Sequence, residues 1–208
     1  MGVLISFLIV HYDETYIMGY CNSFVKIGID KEFNYFGIRF LPGIFPSLFN
    51  IDASELSNHY ERLNTVQPCI YNVIQQSKDR CLCLQDLCDE LNIYFIKHIN
   101  KIDKPFDNRF FCALETILKS KGSIIIEKDL NDGISSRHLQ RLFNFYIGDT
   151  AKFFCRIVRF QNLLKIDPSV KLIKSEKSYY DFGYYDQTHF IKEFKLFYGK
   201  TPSKIAAE

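Results

Sequence analysis

The 208 residues contain no tryptophan, so the aromatic content rests on 20 Phe and 13 Tyr. They lack any long apolar run near the start. The longest there, Leu4 to Val10, falls far short of the roughly 20 residues a membrane-spanning helix needs. It is not preceded by the basic leader, nor followed by the small-residue cleavage site, of a secretory signal. Low-complexity tracts are missing, which excludes a disordered or fibrous chain. There is no Gly-rich phosphate loop, no His-Glu-x-x-His and no Gly-x-Ser-x-Gly, which removes the usual sequence support for an enzyme. The histidines His11, His59, His98, His138 and His189 are scattered. Seven cysteines, an odd and irregularly spaced set, do not form the dense even framework of small secreted domains. Reduced thiols and a cytoplasmic setting are expected.

What is present is 47% hydrophobic residues, enough for a core of one or two domains. The net charge of +2 is unevenly spread: residues 1–104 carry 9 basic and 12 acidic side chains, residues 105–208 carry 17 and 12. A basic second half points toward a polyanionic partner, although ordinary scatter explains such a split equally well. Met1-Gly2-Val3-Leu4-Ile5-Ser6 fits a permissive myristoylation pattern, but a core strand is the better reading of this segment.

Leu4–His11, Tyr16–Tyr20, Ser23–Ile29 and Tyr35–Phe40 are rich in Ile, Val, Phe and Tyr and separated by turn-like breaks, so four strands are predicted. Pro42-Gly43 closes this β section. The period then becomes helical. A short helix is expected at Phe45–Phe49 and another at Ala53–Asn58, capped by Asp52 with Glu55 three residues on. Longer helices are expected at Cys69–Gln76 and Cys81–His98, the last with Leu84, Leu87, Cys88, Leu91 and Phe95 on one face. Polar Asn100–Pro105 marks a domain boundary. Beyond it nearly everything reads as helix, beginning with Phe110, Leu114, Ile117 and Leu118 on one face. The prediction is an α+β chain: a β-rich domain with trailing helices in 1–104 and an all-α domain in 105–208.

Two stretches of the second half share one grammar. In the first, a short helix around Ile125–Asn131 runs into Asp132-Gly133-Ile134. Ser135 or Ser136 can then cap a helix with Leu139, Leu142 and Phe143 inward and Arg137, Gln140, Arg141 and Asn144 on another face, closed by Gly148. In the second, a helix holding Tyr179 and Phe182 runs into Gly183-Tyr184-Tyr185. Asp186 can cap a helix with Phe190, Phe194 and Phe197 inward and Gln187, Thr188, Lys192 and Lys195 outward, with His189 at the edge and Gly199 closing it. A helix over Thr150–Ile166 separates the units. Its Arg156 and Arg159 can reach phosphates or internal carboxylates, the latter favoured for Arg159. Arg and Gln on such a face suit guanine and adenine edges in the major groove, and a capped helix start suits an anion. The blander reading is a solvated bundle face; two such units in tandem weigh against it.

Ser135-Ser136-Arg137-His138-Leu139-Gln140-Arg141-Leu142-Phe143, with Gly148 and Arg159-Phe160, resembles the first helix-turn-helix unit of the AraC/XylS family of bacterial transcription regulators. Gly183-Tyr184-Tyr185-Asp186-Gln187-Thr188-His189-Phe190-Ile191-Lys192-Glu193-Phe194-Lys195, then Gly199-Lys200-Thr201-Pro202, is similar to the family's second-unit signature. The likeness covers roughly residues 107–206. It implies a seven-helix domain whose recognition helices, here Ser136–Tyr146 and Asp186–Tyr198, enter adjacent major-groove segments. By position, the DNA-contacting residues it implies are Ser136, Arg137, Gln140 and Arg141, then Gln187, Thr188, His189 and Lys192. Phe36-Gly37-Ile38-Arg39-Phe40-Leu41-Pro42-Gly43 and Asp52-Ala53-Ser54-Glu55-Leu56 more weakly resemble a cupin-like sensor domain of one family branch, shorter here than a complete one. The resemblance implies double-stranded DNA as partner, RNA polymerase where the outcome is activation, a small-molecule effector or a homodimer through the first half, and no cofactor or membrane.

The sequence departs from the family where a small Ala usually precedes each turn Gly by four residues; Asp129 and Tyr179 stand there, the bulk of Tyr179 is expected to open or tilt the second unit, and Asp129 weighs against the first unit's leading helix. Two other functional classes compete. Cys81, Cys83 and Cys88, with His98 as a fourth ligand, can be read as a zinc site, although buried reduced cysteines are the default. The chain can also be read as a shortened regulator that binds a ligand or dimerises without specific DNA binding. The family's DNA-repair branch is set aside, since its four-cysteine arrangement has no counterpart here.

Overall fold

A computed structural model of the chain describes residues 6–11, 14–26, 35–81, 83–102, 106–130, 133–166 and 178–205. The first half builds one antiparallel sheet from β1 (Ser6–His11), β2 (Glu14–Met18), β3 (Tyr35–Phe40) and β4 (Tyr60–Arg62), in the order β3-β1-β2-β4. Register is set by pairs such as Leu8 with Ile17 and with Ile38, and Ile17 with Glu61. Along β2 burial alternates, with Thr15 and Ile17 inward, as a half-covered sheet requires.

The strand expected at Ser23–Ile29 is not formed at residues 23–26; 27–29 lie outside the described residues. The backbone of Phe24 is used elsewhere, its N–H donating to the carbonyl of Leu196 at 2.9 Å. A short strand at Tyr60–Arg62, which the sequence did not announce, completes the sheet edge instead.

The sheet is covered by α1 (Ile44–Phe49), a 3-10 turn at Ala53–Leu56, α2 (Leu63–Val66), α3 (Pro68–Arg80) and α4 (Leu84–Ile99). Asp52 caps the 3-10 turn by accepting from Ser54 N–H. Ile70, Ile74 and Ser77 face inward from α3, and Leu87 and Leu91 from α4, joining Ile17, Phe40, Phe45, Leu48, Leu56 and Leu63 in one core. Leu84 and Cys88, expected on the inner face of α4, are exposed. Leu84 sits at the very start of the helix, ahead of the part that packs on α3. Ser77 and Arg80 both donate to Glu90, at 2.6 and 3.1 Å, tying these two helices together.

Seven helices lie in the second half of the described residues: α5 (Asn108–Lys119), α6 (Ile126–Asp129), α7 (Ser136–Ile147), α8 (Ala151–Ile166), α9 (Ser178–Asp181), α10 (Gln187–Tyr198) and α11 (Pro202–Ile205). The chain is thus α+β, with its sheet in the first half and a mostly helical second half. From α5, Phe110, Leu114 and Ile117 are buried as expected, whereas Leu118 is exposed.

Helix α8 divides its apolar residues between two clusters. Phe154, Cys155, Ile157 and Val158 pack with α5 and α7, and Tyr20 of the first half is buried in this same cluster. Phe160 and Leu163 pack with Tyr184, Phe190 and Phe194. One rigid rod therefore carries a separate core at each end, and each core seats one turn unit.

Candidate DNA interface

Each unit is fixed by local chemistry at three points. Gly133 and Gly183 take φ of 75°, the left-handed region that a turn of this kind requires and that side chains with a Cβ resist. Ser135 and Asp186 then cap the second helices: the hydroxyl of Ser135 accepts from His138 N–H at 3.3 Å and the carboxylate of Asp186 from His189 N–H at 2.7 Å. Such caps are worth about 1 kcal/mol each. Gly148 and Gly199, at φ 93° and 85°, end α7 and α10. Both helices run as the sequence predicts, to within a residue at either end.

On α7, Leu139, Leu142, Phe143 and Ile147 are buried, while Ser136, Arg137, Gln140, Arg141 and Asn144 are exposed. Arg137, Gln140, Arg141 and Asn144 line, with Ser135 and His138, an open hollow of about 540 Å³. Arg141 lies 3.2 Å from Nδ1 of His138, one turn back. On α10, Phe190, Glu193 and Phe194 are buried and Gln187, Thr188 and Lys192 exposed. His189 is different: it stands edge-on to Tyr184 at 5.6 Å, and its Nε2 is 3.5 Å from the Glu193 carboxylate. It is half turned toward the interior.

Glu193 is the buried neighbour of this exposed face that residue-by-residue reading missed. Its side chain is 1% exposed and accepts from Nε of Arg156 at 2.7 Å, joining α8 to α10 directly beneath the exposed face. The spacing Phe190, Glu193, Phe194, Phe197 falls on one helical face, so a buried carboxylate was legible there. The sequence reading favoured Arg159 for an internal carboxylate, and the structure reverses that. Arg159 instead donates to the carbonyl of Gly122 at 3.2 Å and lies over the Tyr184 ring at 5.4 Å. The Arg156 guanidinium also sits 4.7 Å over the ring of Phe153. Burial, and then the charge of Glu193, push the Tyr184 phenol well above its ordinary pKa.

The two departures from the family pattern are accommodated differently. Asp129 is exposed and folds back on its own helix, accepting from Ile125 N–H at 2.8 Å. Tyr179 packs into the second core with its ring parallel to Phe190 at 6.2 Å.

The competing cysteine cluster is not assembled. Cys83 is the residue before α4, Cys83 and Cys88 are exposed, and His98 is stacked on Phe49 and Tyr94 with Nε2 3.0 Å from the Leu48 carbonyl. Among the described residues no group of three His, Cys, Asp or Glu is placed to hold a metal ion. No described helix is long and apolar enough to cross a membrane. In the first half, Glu14, Thr15, Arg62, Asn64 and Tyr71 line a hollow of about 160 Å³, below the roughly 300 Å³ at which small-molecule sites begin.

Two family models match the chain. Residues 132–208 match a helix-turn-helix domain, and residues 5–62 match a domain of unknown function, DUF6597. Neither the curated proteins nor the solved structures gave a match.

Proposed function

Starting from a chain that carries an AraC-type helix-turn-helix domain behind a DUF6597 domain, the make-up of an AraC-family transcription regulator, we propose that it reads DNA sequence with α7 and α10 in adjacent major-groove segments. Residues 105–208 are the DNA-binding part, and residues 1–104 serve effector sensing or dimerisation.

The observation that carries this reading is the matched pair of capped helices, each with one buried face and one exposed polar row, Ser136, Arg137, Gln140 and Arg141 on α7 and Gln187, Thr188 and Lys192 on α10. Two cores on a single rod hold them. Residues near the start of the second helix of such a unit reach base edges. Arg137 and Arg141 suit guanine, Gln140 and Gln187 suit adenine, and Ser136, Thr188 and Lys192 suit bases or phosphates. His189, held between Tyr184 and Glu193, orients the start of α10 as much as it touches DNA.

The test is a gel shift of the purified chain against a genomic fragment library, followed by variants on a captured fragment. Gln140→Ala or Gln187→Ala should weaken specific binding by about 1–3 kcal/mol and leave non-specific binding unchanged. Affinity should fall steeply with salt. Equal loss on every sequence would remove the base-reading role. Absence of any binding would favour a ligand-binding or dimerisation partner.

A further inference from the structure

We propose that the first half of the chain supplies a brace that joins the C-terminal ends of α7 and α10 and so fixes the spacing at which the two helices meet DNA. The DNA part of this inference rests on the function proposed above; the brace itself does not.

The last carbonyls of a helix have no partner within it. In α10 one of these, Leu196 O, accepts from the backbone N–H of Phe24 at 2.9 Å. Just past α7, the carbonyl of Gly148 accepts from the hydroxyl of Ser57 at 3.0 Å. Residues far away in sequence therefore bond to the end of α10 and to the glycine that closes α7. Both closing glycines face the same partners. A Cβ on Gly148 would stand 2.9 Å from Ala53 O and closer still to Ser57, and one on Gly199 would stand 2.7 Å from the Phe24 ring. Neither glycine could carry a Cβ without displacing these first-half neighbours, so both helix ends lie directly against them.

The two contact points belong to one stitched unit. Asn58 N–H donates to Tyr20 O at 2.8 Å, and Asn22 N–H to the side-chain oxygen of Asn58 at 2.9 Å. Tyr20 is buried in the core of the first unit, edge-on to Phe153 at 5.8 Å, and Phe153 meets Phe197 of α10 at 5.7 Å. Between Tyr20 in one core and Phe24 at the end of α10 lie only four peptide steps, a reach of at most about 14 Å. A strap that short, anchored at both ends, cannot let the units part. Helix α8 holds them from one side and the strap from another. Two attachments remove the rotation that a single rod permits.

The experiment compares the full-length chain with Phe24→Pro/Ser57→Ala, which deletes the N–H bonded to Leu196 O and the O–H bonded to Gly148 O. Phe24→Ala, which keeps the N–H, controls for loss of the ring. Nitroxides on ketone side chains at positions 144 and 195 report the α7–α10 distance without DNA (seven cysteines preclude thiol labelling). The distribution should be narrow in the wild-type chain and clearly broader in the double variant at unchanged helix content. An unchanged width would overturn the brace.

The second arm uses duplexes selected from a random library by the wild-type chain, with one or two base pairs inserted between the protected segments. The wild-type chain should lose about tenfold or more on insertion, the scale of one lost base contact, and the double variant less than about threefold. The same spacing preference in both would refute the role in DNA spacing. If the wild-type chain selects no duplex while the distance result holds, the brace stands and the DNA reading fails.

Discussion

Replacing Arg156 by Met should destabilise the chain by about 3 kcal/mol, and adding Glu193→Gln should recover a substantial part of the loss. The Arg156–Glu193 contact is 2.7 Å long and Glu193 is 1% exposed. At an effective dielectric of about 20, Coulomb's law gives on the order of 6 kcal/mol of gross attraction at that distance. Desolvating both ions costs several kcal/mol each, so the intact pair contributes little net. The asymmetry appears when one partner goes. Met lacks the guanidinium that sits over Phe153 and leaves the buried carboxylate with the His189 imidazole, at 3.5 Å, as its remaining ion-pair partner, a loss of at most about 3–5 kcal/mol. The 31% exposure of Arg156 admits water to the orphaned charge and places the expectation at the low end. Neutral Gln fills the same volume without the charge. The coupling energy of the cycle should therefore be at least about 1 kcal/mol. Urea unfolding followed by circular dichroism measures it, with unchanged slopes as the check on two-state behaviour. A double variant no more stable than Arg156→Met alone would show that the uncompensated charge is not what costs stability.

Three further outcomes are expected. Gly133→Ala should cost only the left-handed backbone penalty, about 1–2 kcal/mol, because no atom of the described residues lies within 4 Å of its new Cβ. Gly148→Ala should cost about 1–3 kcal/mol more through overpacking against Ala53 and Ser57; equal denaturation midpoints would contradict the contact. Burial pushes the Cys155 thiol up to about 11, so at pH 8 it should resist iodoacetamide while exposed Cys69, Cys83, Cys88 and Cys112 react, as peptide mass spectrometry would reveal. The Arg109 side chain hydrogen-bonded to Asp107 holds that carboxyl below its ordinary value. Its contribution is then present above the unfolded carboxyl pKa of about 4 and lost as pH falls through the lower folded value. Asp107 also caps α5 by accepting from Arg109 N–H at 3.0 Å; Asp107→Asn keeps that acceptor but cannot titrate, so it should lose less stability between pH 5 and pH 3 than the parent, and identical acid profiles would speak against this.

The sequence by itself determined the local pieces. A serine at 135 or 136 and Asp186 as caps, glycines at 133, 148, 183 and 199, and apolar residues three and four apart specify α7 and α10 almost to the residue, because capping, left-handed turns and amphipathic burial act within a few positions of the chain; the structure selects Ser135. The exposed row from Arg137 to Lys192 was legible for the same reason. Only the tertiary structure decided what is set by distant partners. Phe24, strand-like by composition, gives its N–H to α10. Arg156 rather than Arg159 meets the buried carboxylate of Glu193. Leu84 lies at the exposed start of α4 and Cys88 on its exposed face, and Tyr20 enters the core of the helical half. A residue's own propensity says whether it can be buried or bonded. Which of several competent neighbours it meets depends on the packing of elements that no short window of sequence contains.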